Sequence, residues 1–105
     1  MSVVKLVVMY KKPADVEAFE KHYRETHLPL ARKMPGVRRL DVSHFTGSPV
    51  GEPKYYMMAE VFFDDKASMM AALGSPEGKA AGKDIMTAAG DILHMMFADV
   101  TDATK

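Results

Sequence analysis

Three segments of this chain alternate like β-strands yet carry large apolar side chains on both faces, and only two helical stretches are available to cover them. In Ser2 to Lys11, Val4, Leu6, Val8 and Tyr10 fall on one face, while Val3, Val7 and Met9 share the other with Lys5. In Lys54 to Phe63, Tyr55, Met57, Ala59, Val61 and Phe63 oppose Tyr56, Met58 and Phe62, with Glu60 as the one polar residue between them. In Asp91 to Val100, Ile92, His94, Met96 and Ala98 alternate with Leu93, Met95 and Phe97. Helices can shield one side of such a sheet, so something else must shield the second.

The remaining elements are set by turn and cap chemistry. Asp15 is a good N-cap, and Val16, Phe19, Tyr23, His27, Leu30 and Met34 come after it at steps of three and four, one stripe of a helix. Pro29 removes a backbone donor and disfavours helical geometry at Leu28, so a bend or break is expected near His27-Leu28-Pro29. Pro35-Gly36 closes the element. A further strand is expected from Val37 to Phe45, with Leu40, Val42 and His44 on one side. Thr46 to Pro53 is rich in turn formers and reads as a surface loop between antiparallel strands. Asp64 or Asp65 caps a short helix ended by Gly74, and Ser75-Pro76 restarts it with an N-cap followed by proline at the first helical position.

The order is βαββαβ, an α+β, ferredoxin-like plan: a four-stranded antiparallel sheet with helices on one face. An open apolar face of several hundred Å² is at or above what soluble monomers normally tolerate (roughly 300 to 600 Å²). Two copies packed sheet against sheet would hide it and form a closed or nearly closed barrel, each sheet supplying half of an interior. The expected partner is therefore a second copy of the chain.

Composition narrows the function classes. A chain of 105 residues, 48% apolar, can bury a core without disulfide or metal, and residues 1–105 read as a single domain. Fourteen basic residues balance fourteen acidic ones, with no basic run, which argues against nucleic acid. The absence of cysteine removes thiol catalysis, thiolate metal sites and disulfides, and fits a reducing compartment. Apolar runs stop well short of the ~20 residues of a membrane span, and Met1 to Lys5 lacks the order of a signal peptide. A soluble, cytoplasmic protein with no membrane partner is expected.

His27 is the strongest candidate for chemistry. On a regular helix it lies within about a quarter turn of Phe19, with Tyr23, Leu30 and Val16, so its imidazole points with the buried stripe. Either it satisfies backbone groups freed at Pro29, or it performs general acid/base chemistry on a ligand. Tyr23, one turn earlier, either hydrogen-bonds a ligand oxygen or packs in the core. His22 lies about 140° around a regular helix from His27 and is expected in solvent, not beside it. His44 and His94 fall on the two edge strands, too far apart within one chain to share a metal. Tyr55, Met57, Met95 and Phe97 offer aromatic and thioether surface for a flexible apolar ligand, or an ordinary core. The chain has no Gly-rich phosphate loop, nucleophile-elbow serine or paired metal spacing, so no cofactor is expected.

Two stretches carry a family resemblance. Phe19-Glu20-Lys21-His22-Tyr23-Arg24-Glu25-Thr26-His27-Leu28-Pro29-Leu30, continued by Met34-Pro35-Gly36-Val37, resembles the EthD family within the dimeric α+β barrel superfamily. So does Ser75-Pro76-Glu77-Gly78 leading to Asp84. The resemblance spans nearly the whole chain and implies a ferredoxin-like dimeric barrel, of the kind found in bacterial clusters that degrade ethyl tert-butyl ether and in related catabolic or polyketide-tailoring settings. Lactone isomerases, aromatic cyclases and cofactor-free monooxygenases share the superfamily, so the fold does not select a reaction. The sequence departs from the family pattern at Thr87-Ala88, where an Asn-Phe-like pair is expected, and the missing aromatic would enlarge or reshape a cavity.

The expectation is a homodimer that binds a small, largely apolar organic molecule in xenobiotic or secondary catabolism. Cofactor-independent isomerisation or cyclisation through His27 and a non-catalytic structural dimer are the alternatives.

Overall fold

The computed structural model describes residues 3–104. The expected first strand opens at Ser2, which lies outside the described residues. Along the chain run β1 (Val3–Tyr10), α1 (Val16–His22), a π-helical turn (Tyr23–His27) and α2 (Leu28–Arg32). Then come β2 (Arg39–His44), β3 (Met57–Phe63), α3 (Lys66–Gly74), α4 (Pro76–Ala89) and β4 (Leu93–Val100). The strands form one four-stranded sheet in the order β2-β3-β1-β4, every pair antiparallel, which is the ferredoxin-like arrangement. No described helix is long and apolar enough to cross a membrane.

Caps set the helix starts. Asp15 accepts a hydrogen bond from the Ala18 amide at 3.0 Å, Asp65 from Ser68 at 2.7 Å, and Ser75 from Gly78 at 3.0 Å. Asp64 instead pairs with Arg38. The α3–α4 corner is so tight that a Cβ on Gly78 would sit 2.1 Å from the Ala72 carbonyl oxygen, which no side chain tolerates.

β3 and β4 begin later than their sequence patterns suggest. Tyr55 and Tyr56 precede β3, although the Tyr56 amide still donates to Tyr10 and its carbonyl accepts from Phe45.

The first helical region does not break at Pro29. His27 and Leu28 keep right-handed helical dihedrals, and the Leu28 amide donates to the Tyr23 carbonyl, five residues back. Proline at the start of α2 has no N–H to lose there, and the wider turn before it gives its ring room beside the preceding carbonyls. The same turn rotates the residues on its C-terminal side. Ala31, not Leu30, joins the buried stripe of Phe19, Tyr23, His27 and Met34.

Strand register assigns the two faces of the sheet. Val4, Leu6, Val8 and Tyr10 of β1 lie opposite Phe63, Val61, Ala59 and Met57 of β3, and all eight are buried beneath the helices. The other face carries Val7, Met9, Met58, Phe62, His94 and Met96 around a Lys5–Glu60 ion pair of 2.6 Å. The Lys5 ammonium also lies 5.5 Å from the centre of the Phe62 ring. Among the described residues no helix packs on this side.

Candidate functional site

Small residues leave space between the helices and the sheet. Ala59 on β3 and Gly78, Ala81 and Gly82 on α4 line a partly enclosed cavity of about 90 Å³, together with Leu6, Val8, Met34 and Met95. Its walls are apolar except at three side chains, Tyr10, Tyr23 and His27, and no Lys, Arg, Asp or Glu lines it.

These three side chains end an aromatic wall. Tyr56 meets Phe19 edge-on, Phe19 stacks on Tyr23 at 5.7 Å, and Tyr23 lies 5.1 Å from the His27 ring. Tyr10 meets both Phe19 and Tyr23 edge-on from the sheet side. Burial pushes the Tyr23 phenol up to about 12, and pushes Tyr10 well above the ordinary phenol range, with the neighbouring Tyr23 adding to the rise. Both hydroxyls therefore stay protonated and can donate hydrogen bonds at neutral pH.

His27 is 8% exposed and, besides the tyrosines, the one buried polar residue among the described residues. Its Nδ1 lies 3.1 Å from Oδ2 of Asp84, so neutral His27 donates Nδ1–H to the carboxylate and Nε2 carries the free lone pair. Burial holds the imidazole below its ordinary pKa, while the hydrogen bond and charge of Asp84 oppose that shift. The ring at neutral pH is the basic form.

His22 joins the same carboxylate. Its Nε2 lies 2.9 Å from Oδ1 and 3.1 Å from Oδ2 of Asp84. The expectation that His22 lies apart from His27 is thus corrected, while its side chain does remain 39% exposed. In a turn closed from residue i to i+5, positions five apart come onto one side, whereas on a regular α-helix they diverge. Nothing in the local composition marks the π turn in advance. Asp84 had a signal: it is an acid three residues after buried Ala81, on the small-residue face of α4, and half-buried where Glu77, the other acid on that side, is exposed.

The other expected positions separate. Met95 lines the cavity. Met57 shares that face of the sheet but is fully buried beside its cross-strand partner Tyr10 and does not line the space. Tyr55 sits before β3 on the surface, edge-on to His94 at 6.2 Å. Phe97 follows Met95 on the same face but is 59% exposed on edge strand β4, beside Met69 and Met70. The cavity that His27 lines therefore belongs to one chain, on the helix side, not to the interior expected between two sheets. Ala88, where the missing aromatic was noted, is exposed and rims a separate cleft with Ala14, Ala18 and His22.

His44 and His94 occupy opposite edges and, by register, opposite faces. His44 Nε2 lies 2.9 Å from Glu20, which also accepts the Tyr56 hydroxyl. This second polar cluster ties the β2–β3 connection to α1. Among the described residues no group of three His, Cys, Asp or Glu side chains is arranged to hold a metal ion.

Residues 11–89 match the EthD domain. A crystal structure of an EthD family protein from Bacillus halodurans C-125 is 45% identical, with a TM-score of 0.91, covering 94% of this chain and 99% of that one. An uncharacterized 11.0 kDa protein in the thcB-thcC intergenic region of Rhodococcus erythropolis is 33% identical over 95 residues, 90% of this chain and 92% of the relative. A dimeric ferredoxin-like protein of unknown function from Thermobifida fusca YX shares the fold, with a TM-score of 0.70 at 12% identity, covering 94% of this chain and 92% of that one.

Proposed function

The chain belongs to the EthD family, and on that premise we propose that it is a homodimer in which each subunit transfers protons on a small, uncharged organic molecule held between sheet and helices. The observation that carries this reading is His27: its Nδ1 is anchored on Asp84 while its ring borders an apolar cavity. An acid that orients a histidine and supports its protonated form is the arrangement of hydrolase triads, here without the nucleophile. His27 Nε2 takes a proton from a C–H or O–H group beside a carbonyl and returns it elsewhere on the same molecule. The Tyr23 hydroxyl donates to the oxygen on which charge develops. No electrons leave the ligand, so the chemistry is isomerisation or cyclisation.

The cavity sets the ligand class. With no charged wall it favours a neutral molecule, and at about 90 Å³ it is smaller than the ~150 Å³ engineered cavity that admits benzene. A compact molecule suits it, and the pliable Met34 and Met95 side chains allow somewhat more. A catabolic role for small hydrophobic compounds is in keeping with the same lining.

Homodimerisation rests on the uncovered sheet face and on the dimeric relative of the same fold. Sedimentation equilibrium is expected to show a dimer at micromolar concentration, and a monomer throughout that range overturns it. For the site, mass spectrometry of small molecules extracted from native protein is expected to recover a compact neutral compound. His27→Gln is expected to keep the dimer and bind that compound while slowing its proton exchange by roughly 10²- to 10⁴-fold. Unchanged exchange in His27→Gln leaves a binding protein, and a wild-type protein that retains and binds no such compound leaves a structural dimer.

A further inference from the structure

Two imidazoles share one carboxylate, and they differ in what lies behind them. His27 is enclosed by the core, its side chain 10% exposed, whereas His22 is 39% exposed and opens onto a surface cleft with Asp15, Ala18 and Asp91. Asp84, at 16%, stands between them, and its Oδ2 lies 3.1 Å from a nitrogen of each ring. One carboxylate cannot stabilise two imidazolium ions as well as it stabilises one.

We propose that His22 is a positioning residue for His27: by carrying at the solvent side the proton that the trio binds, it leaves His27 neutral with Nε2 free to act as base. This inference rests on the reading of His27 as the proton-transfer group. Burial already holds His27 below its ordinary pKa against the pull of Asp84 toward the charged ring, and a charge on the neighbouring His22 adds to that shift. A second imidazole on the same carboxylate, facing water, offers the proton a better solvated place and sets its charge against a second charge on His27.

The other groups around the trio do not compensate. The phenols of Tyr10 and Tyr23 face His27 from β1 and the π turn, and both are neutral. Lys21 and Glu25, of opposite sign, flank His22 on its own helical segment, while Asp15 and Asp91 rim the cleft on its outer side. The π turn is what permits the arrangement, since a regular helix would carry His22 away from Asp84.

The test is the pH titration of the His27 ring, followed at its Cε1–H by two-dimensional NMR, which separates the two histidines of a coupled pair. His22→Gln keeps an N–H donor for Asp84 but takes up no charge, and is expected to raise the His27 midpoint by about one pH unit. His22→Arg, charged at every pH, is expected to hold the midpoint at or below the wild-type value. An unchanged midpoint in His22→Gln, or a rise in both variants alike, overturns the proposal. A midpoint shift in a protein that retains no ligand and catalyses no exchange upholds the coupling and defeats the reading of the cavity as a reaction site. Normal exchange with no shift does the reverse.

Discussion

Two neighbouring strands give the two sides of this sheet opposite fates within one residue step. On β1 and β3, Leu6 faces Val61 beneath the helices, while the adjacent Lys5 and Glu60 form an ion pair on the uncovered side. The covered side is filled by Tyr10, Met57 and Phe63, yet opens a void where Ala59 meets the glycines and alanines of α4. The uncovered side carries mostly large side chains, from half-buried Val7, Met9, Met58 and Phe62 to exposed His94 and Met96. Hydrophobic alternation reads both sides alike. What separates them is side-chain size: small residues leave a void on the covered side, and mostly large ones form the apolar surface of the open side. The ion pair at the centre of the open side fits the proposed dimer, since paired charges fix how two surfaces align more than they add to stability.

The two sides are set apart most sharply at Phe63 and Phe62. Phe63→Ala empties a fully buried position and is expected to cost about 3 to 5 kcal/mol in urea denaturation at any protein concentration. Phe62→Ala lies on the open side, and its cost is expected to be larger at high than at low protein concentration, because it acts on association. Equal and concentration-independent losses would mean that the two sides do not differ in role. Next in size, Gly78→Ala forces a methyl against the Ala72 and Leu73 carbonyls at the α3–α4 corner, for an expected loss of about 2 to 3 kcal/mol in the same assay.

Gly82 sharpens the contrast from the opposite direction. It lines the void, and a Cβ there meets no atom within 4 Å. Gly82→Ala is therefore expected to stabilise the protein by about 0.5 to 1 kcal/mol, visible as a higher Tm, while weakening retention of any cavity ligand. The smallest effect is a pH dependence confined to the covered side. Burial depresses the His27 pKa below 6.5, so between the folded and unfolded values the unfolded chain binds a proton that the native chain does not. The stability at stake is full above about pH 6.5 and falls as pH drops through that window. The urea midpoint of wild-type protein is expected to decline more from pH 7.5 to 5.5 than that of His27→Gln.

Much of this molecule is legible from residue spacing. The parity of β1, β3 and β4 assigns Leu6, Val61 and Met95 to one side and Lys5, Glu60 and Met96 to the other, as the register has them. The inward direction of His27 and Tyr23 follows from their step of four. The His22–Asp84–His27 trio does not, for two reasons. The π turn is a choice of hydrogen-bond register that no residue type dictates. Asp84 is also separated by 57 and 62 residues from the rings it joins, so only the tertiary fold brings them together. The location of the void was equally hidden: Met57 and Met95 share a face, but one lies at the packed centre of the sheet and the other at its less covered edge. Spacing gives a side chain its side, and packing decides whether space remains beside it.

The methionines offer the most direct measurement of where a ligand goes. Met34 and Met95 line the cavity, whereas Met58 and Met96 lie on the other face of the sheet. With ¹³C-methyl methionine, titration by compact neutral carbonyl probes such as acetone, cyclohexanone and benzaldehyde is expected to move the Met34 and Met95 methyl resonances together with the His27 ring, leaving Met58 and Met96 in place. Movement of Met58 and Met96 with Met34, Met95 and His27 unchanged would put the ligand between two sheets and contradict a site built within one subunit.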